Sequence, residues 1–100
     1  MAVRIFIKRN VKKGRTQEAV ELLKEVRSQA LKQPGYISGE TLVNHYDPCS
    51  ITVVSTWQTI EDWIRWEESD ARAAKEDQLE SLQEGSADFE IYDLGLASSS

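Results

Sequence analysis

Apolar and polar positions recur along this chain in blocks whose periods predict its elements. Val3, Ile5 and Ile7 share one face of a strand, and Arg4, Phe6 and Lys8 share the other. Lys13-Gly14-Arg15 reads as a turn, with Thr16 as a candidate N-cap and Glu18 placed to suit the helix dipole. Ala19, Leu22, Leu23, Val26 and Ala30 then follow at helical spacing as one apolar stripe, and Pro34-Gly35 ends that helix. Residues 36–46 form a second strand, in which Gly39 signals a bulge or a close backbone approach. Asp47-Pro48-Cys49-Ser50 is a turn, and residues 51–57 are a strand dense in β-branched side chains, so the two strands make a hairpin.

Thr59-Ile60-Glu61-Asp62 has the form of a capping box, with Asp in place of the usual Glu. It opens a helix carrying Ile60, Trp63 and Ile64, on which Glu61 with Arg65 and Glu68 with Arg72 stand at ion-pair spacing. Ser69 favours a new cap over a helix interior, so this run splits in two and ends near Leu82. Residues 89–94 are a last strand, stopped by Gly95. The order β-α-β-β-α-β predicts an α+β, ferredoxin-like domain: an antiparallel sheet with its helices on one face, over residues 1–96, with 97–100 as a frayed tail. The strands carry apolar residues on both faces, yet the helices cover only one. A second copy of the sheet is the simplest cover, which predicts a homodimer.

Composition removes several function classes. The chain has 100 residues, one domain's worth, and a net charge of −5. Lys8, Arg9, Lys12, Lys13 and Arg15 form one basic stretch, read as a solvated loop rather than a nucleic-acid footprint. A lone cysteine, Cys49, forms no internal disulfide and suits a cytoplasmic setting. No stretch has transmembrane length, and the N-terminal run lacks the apolar length of a signal peptide. The acidic residues do not pair at metal-ligand spacing, and the cluster around Glu61, Asp62, Glu67, Glu68 and Asp70 reads as a solvated helix face, so no metal is expected.

Gly35-Tyr36 before the second strand, Ser55-Thr56-Trp57 ending the third, Trp63 one turn into the next helix, and Ala71-Arg72-Ala73-Ala74-Lys75 after it resemble the antibiotic biosynthesis monooxygenase (ABM) domain. The resemblance spans about residues 3–94. It implies a dimeric α+β barrel, two ferredoxin-like subunits packed sheet to sheet, each with a pocket between helices and sheet. The family includes cofactor-free monooxygenases of polycyclic phenols and quinols, haem-degrading enzymes and a signal-molecule isomerase. For the haem-degrading branch the resemblance implies an Asn on the first strand, where Ile7 stands, and a histidine near Ala74 or Lys75, where none stands. That argues against haem oxygenation.

The resemblance therefore implies an oxygenase that uses no cofactor and acts on an aromatic phenol or quinol with O₂. Trp63 is the candidate ring platform, and His45, the sole histidine, is the candidate general base. Ile7, Leu23, Tyr36, Asn44, Trp66 and Tyr92 are candidate pocket residues. Each has a plainer reading. Trp63 and Trp57 fill a core as well as they line a pocket, Trp66 sits at a rim or dimer contact, and His45 belongs to a surface hairpin. Asn44 and His45 point to opposite faces of a regular strand. The alternative function is a dimeric small-molecule binder or scaffold of the same fold, favoured by an apolar Ile7 in the pocket floor. An isomerase on this barrel is a third reading, and it needs a base in the pocket.

Overall fold

The computed structural model describes residues 1–95; the expected tail, 97–100, and the domain limit at 96 lie outside them. The elements are β1 (Val3–Asn10), α1 (Thr16–Ala30), β2 (Tyr36–Val43), β3 (Ser50–Trp57), α2 (Ile60–Glu67), α3 (Asp70–Glu80) and β4 (Asp88–Asp93). The strands form one antiparallel sheet in the order β2-β3-β1-β4. This is the ferredoxin-like arrangement, with the α2–α3 run in place of its second helix.

Register fixes what each face carries. Ile5 lies opposite Ser55 on β3 and Ile91 on β4, and Ile7 lies opposite Val53 and Phe89. Val3, Ile5, Ile7, Arg9 and Val11 therefore point to the helical side, and all five are buried. They belong to two apolar clusters. Val3, Ile5 and Ile7 pack with Ala30, Trp57, Trp63 and Trp66, whereas Val11 packs with Ala19, Leu23, Ile51, Leu79 and Leu82. Arg9 stands between the two. β1 takes in Lys8 and Arg9 of the basic stretch expected to be a solvated loop, and Arg9 is only 3% exposed, because the inward alternation continues past Ile7.

The other sheet face is uncovered. Phe6 meets Tyr92 edge to face at 5.4 Å, beside Val54 and the exposed Leu42. Charges frame these side chains. Lys8 stands opposite Asp88, Phe6 opposite Glu90, and Glu40 opposite Val54.

Local chemistry sets the helix ends. Thr59 Oγ1 accepts from the Asp62 N–H at 3.2 Å and donates to Asp62 Oδ2 at 2.9 Å, closing the cap of α2. Hydrogen bonds from Arg65 and Thr59 hold the Asp62 carboxyl below its ordinary value. Ser69 Oγ accepts from the Arg72 N–H at 3.2 Å, starts α3, and so divides the helical run. Thr16 is not a cap: it is the first residue of α1, and its hydroxyl donates to the Pro48 carbonyl at 2.9 Å, tying the helix to the β2–β3 turn. The β2 irregularity falls between Tyr36 and Ser38, ahead of Gly39. Gly39 is instead a close-approach site, because the Tyr36 hydroxyl fills the space its side chain would need. The expected helical ion pairs also differ. Arg65 bonds Asp62 at 2.9 Å, and Arg72 turns inward to Glu76 at 3.3 Å.

Gly35 joins the two halves of this scaffold. Its φ is +85°, and a Cβ there would collide with the Asp62 carboxylate, whereas Gly14 has φ +82° with nothing near it. Gly14→Ala is expected to cost about 1 kcal/mol, the left-handed backbone term alone. Gly35→Ala adds displacement of the α2 cap and is expected to cost about 3 kcal/mol. Urea titration of both variants checks this, and equal losses would show that Asp62 moves aside freely.

Candidate functional site

The cavity that the wall residues define lies between the helices and the sheet. Its floor is Ile7 from β1 with Val53, Ser55 and Trp57 from β3. β2 contributes Tyr36, Gly39 and Thr41; α1 contributes Leu23, Val26, Arg27 and Ala30; Trp63 and Trp66 close it from α2. The enclosed volume is about 50 Å³, and counting the cleft it opens into, the unfilled space is about 560 Å³.

The tryptophan wall follows from spacing. α2 is only eight residues long, and its inward stripe is Trp63 and Trp66 at i, i+3, while Ile64 is exposed. Trp66 is therefore a core residue rather than a rim residue. Trp57, wholly buried, meets Tyr36 edge to face at 5.3 Å and Trp63 at 6.0 Å. Its indole N–H donates to Ser55 Oγ at 3.1 Å, so its polar atom is satisfied inside the core. Burial raises the Tyr36 phenol above its ordinary value, with the Arg27 charge acting the other way, so Tyr36 is neutral near pH 7. On the cavity wall, Arg27 Nη2 donates to Thr41 Oγ1 at 3.0 Å, bridging α1 to β2.

One wall is charged. Glu76 Oε1 accepts from Arg9 Nη2 at 2.8 Å and lies 3.3 Å from Arg72 Nη2. Both guanidiniums are buried, and Arg72 lies over the Trp63 ring, 5.4 Å from its centroid. Arg9 Nε is buried without a hydrogen-bond partner. Burial lowers the Arg9 pKa from its ordinary value, opposed by Glu76 and reinforced by the nearby Arg72 charge. Two cations share one carboxylate in an otherwise apolar wall.

The candidate residues separate into two groups. Ile7, Leu23, Tyr36, Trp63 and Trp66 come together around the cavity. Asn44, His45 and Tyr92 do not. Asn44 Oδ1 accepts from the Tyr46 and Asp47 N–H groups and builds the β2–β3 turn. His45 is exposed in that turn, with its ring edge on to Tyr46 at 4.9 Å. β2 ends at Val43, so neither residue has a strand position from which to reach the pocket. Tyr92 is on the opposite sheet face, where its hydroxyl donates to Glu90 Oε2 at 3.1 Å. The sequence reading missed Arg9, Arg72 and Glu76. Arg9 carried a signal, since it falls on the inward register between Ile7 and Val11. Arg72 and Glu76 carried one too, at i, i+4 on the same helix. Among the described residues, no group of three or more His, Cys, Asp or Glu side chains is placed to hold a metal ion, and no helix is long and apolar enough to cross a membrane.

Comparison with known proteins places this geometry. The sequence profile of the family described as antibiotic biosynthesis monooxygenase matches residues 2–78. Among curated proteins no significant match is found. Among solved structures, a conserved protein from Methanosarcina mazei Go1 is similar with a TM-score of 0.86 and 23% identity, covering 92% of this chain and 91% of that one. SnoaB, a cofactor-independent oxygenase from Streptomyces nogalater, has a TM-score of 0.84 and 14% identity, with 92% and 91% covered. A conserved protein of unknown function from Bacteroides thetaiotaomicron has a TM-score of 0.82 and 22% identity, with 91% and 95% covered. At such identities the likeness speaks for the fold.

The buried charges make a stability prediction. Arg9→Met removes one desolvated cation and leaves Glu76 with Arg72, so it is expected to change stability by less than about 1 kcal/mol or to raise it. Glu76→Gln leaves two buried guanidiniums facing each other and is expected to cost about 3 kcal/mol or more. Chemical denaturation of the two variants decides the matter; a large loss for Arg9→Met would make Arg9 a structural residue.

Proposed function

The chain belongs to the antibiotic biosynthesis monooxygenase family, which points to monooxygenase-type chemistry, and on that premise we propose that it oxidises a small electron-rich phenol or quinol with O₂ and no cofactor. The observation that supports this reading most directly is the apolar cavity under Trp63, built where a ring can be held away from water. Trp63 and Trp66 give flat apolar surface, Tyr36 offers a neutral hydroxyl, and Ile7 keeps the floor apolar.

The chemistry asks little of the protein. A deprotonated, electron-rich ring passes one electron to O₂, and the two radicals combine as a peroxide on a ring carbon. Where that carbon bears two hydrogens in the keto tautomer, loss of water leaves a carbonyl. One oxygen atom stays in the product, the other leaves as water, and the substrate supplies all four electrons. The protein's part is to orient the ring, favour its ionised form and exclude bulk water. About 50 Å³ is less than the roughly 150 Å³ that holds a benzene ring, so entry requires the cavity to widen into its cleft. That size favours a single ring over a polycycle.

The second reading, a binder without turnover, draws on the same Ile7 floor and on the position of His45 outside the cavity. The isomerase reading needs a base in the pocket; of the nearby carboxylates, Glu76 is held by two arginines and Glu40 stands on the opposite sheet face by its register with Val54. The uncovered sheet face supports a homodimer, since Phe6, Leu42, Val54 and Tyr92 form an apolar strip with charges of both signs around it.

Two measurements follow. O₂ uptake by metal-free protein over a panel of hydroquinones and phenols is expected to saturate, and to fall about tenfold or more in Trp63→Phe, the usual scale for lost orientation. Uptake equal to buffer from a correctly folded protein would favour the binding reading. Light scattering is expected to give a dimer that Leu42→Glu shifts toward monomer, because the new charge faces a shared apolar strip. A monomeric parent chain would remove the dimer proposal.

A further inference from the structure

We infer that the cavity is selective for an anion, a small aromatic acid whose ionised oxygen is recognised by Arg9. The argument begins with register. Positions 3, 5, 7 and 9 of β1 and position 11 just beyond it face the helices, and four of these five are Val or Ile. Position 9 breaks the pattern with a guanidinium, placed between Ile7 of one apolar cluster and Val11 of the other. Such a break in an otherwise consistent element is expected where a residue serves function at a cost to the fold.

Charge gives the sign of the ligand. Arg9 and Arg72 are 3% and 7% exposed and share a single carboxylate oxygen of Glu76. Glu80 lies close enough to act on Arg9, but it is exposed and therefore screened. The buried group so carries one positive charge in excess, and a buried cation lacking a counter-charge is costly. An anion entering the cavity supplies that charge. Arg27, a third cation on the cavity wall, adds to the positive field an entering anion meets.

The hydrogen-bond inventory points the same way. Arg9 lines the cavity, and its Nε–H is buried with no acceptor, while its Nη2 is engaged by Glu76. Buried donors of this kind are nearly always satisfied, and a guanidinium edge fits a planar carboxylate or phenolate oxygen. The apolar remainder, with Trp63 and Trp66 at hand, suits the ring that bears it. The Arg72 guanidinium stacked on Trp63 links the charged wall to the ring-binding wall.

This inference deepens the proposed function by naming the charge class of its substrate, and it rests on that reading for the ring. Its test requires no turnover. Benzoate and benzamide match in size and shape and differ in charge, and both are titrated anaerobically against the full chain by calorimetry and tryptophan fluorescence. Benzoate is expected to bind about tenfold or more tightly than benzamide, the scale of a charge-assisted pair in a buried site. Arg9→Met, with an unchanged circular dichroism spectrum, is expected to bring the ratio to about one. In the unaltered protein, the Arg9 Nε–H resonance is expected to shift with benzoate and not with benzamide, a readout that needs no variant. Equal affinities, binding of neither compound, or an unmoved Arg9 resonance would overturn the inference. A protein that binds benzoate yet consumes no O₂ retains it and loses the oxygenase reading; an oxygenase indifferent to charge does the reverse.

Discussion

Trp57 is the contact on which the rest of this small protein is arranged. It ends β3, is wholly buried, and satisfies its indole N–H within its own strand through Ser55. That leaves the ring surface for others. Tyr36, at the start of β2, meets it edge to face, and Trp63 tilts against it from α2. One ring thus holds together the hairpin, the helix that follows β3, and the wall of the cavity. The constraint extends to the backbone. The Gly35 carbonyl accepts the Gln58 N–H at 2.8 Å, and Gly35 sits against the Asp62 carboxylate that caps α2. Moving any of these pieces moves Trp63, which is both core and pocket wall.

A domain of this size has little stability to spare, so where it tolerates cost is informative. The expense falls on β1. An aliphatic side chain at position 9 would extend the apolar surface that β1 gives the core; Arg9 instead stands between Ile7 of one cluster and Val11 of the other and is paired with Glu76, which also meets Arg72. Buried ion pairs of this kind seldom improve on well-packed apolar side chains. The arrangement is intelligible if the charge serves the cavity rather than the fold.

The fold was legible because it rests on local rules that the chain obeys. Alternation set the strands, Thr59 and Ser69 announced their caps, and apolar residues on both strand faces showed that one sheet face lacks a cover. The site was less legible, for three physical reasons. A strand end is set by pairing rather than composition, so β1 ran on through Arg9 and turned a loop residue into a buried one. Direction around a short helix depends on which stripe meets the sheet. With α2 only eight residues long, Trp66 joined Trp63 inside and Ile64 turned out. Position along a hairpin decides reach: β2 stops at Val43, which leaves Asn44 and His45 in the turn. In each case the residue type was visible and its partner across the fold was not.

If the proposed oxidation takes place in this cavity, the position of His45 outside it changes what that catalysis depends on. A general base lowers a barrier by taking a proton, but a positive field lowers it by making the proton easier to lose, and the second needs no titratable group near neutral pH. In a low-dielectric cavity, the attraction of an unmatched guanidinium for an adjacent phenolate is stronger than in water and offsets the cost of removing that phenolate from solvent. The proton can then leave through the mouth to solvent. On the proposed oxygenase reading, electron transfer to O₂ would begin from that same anion, and one buried cation would both select the ligand and prepare it for oxidation.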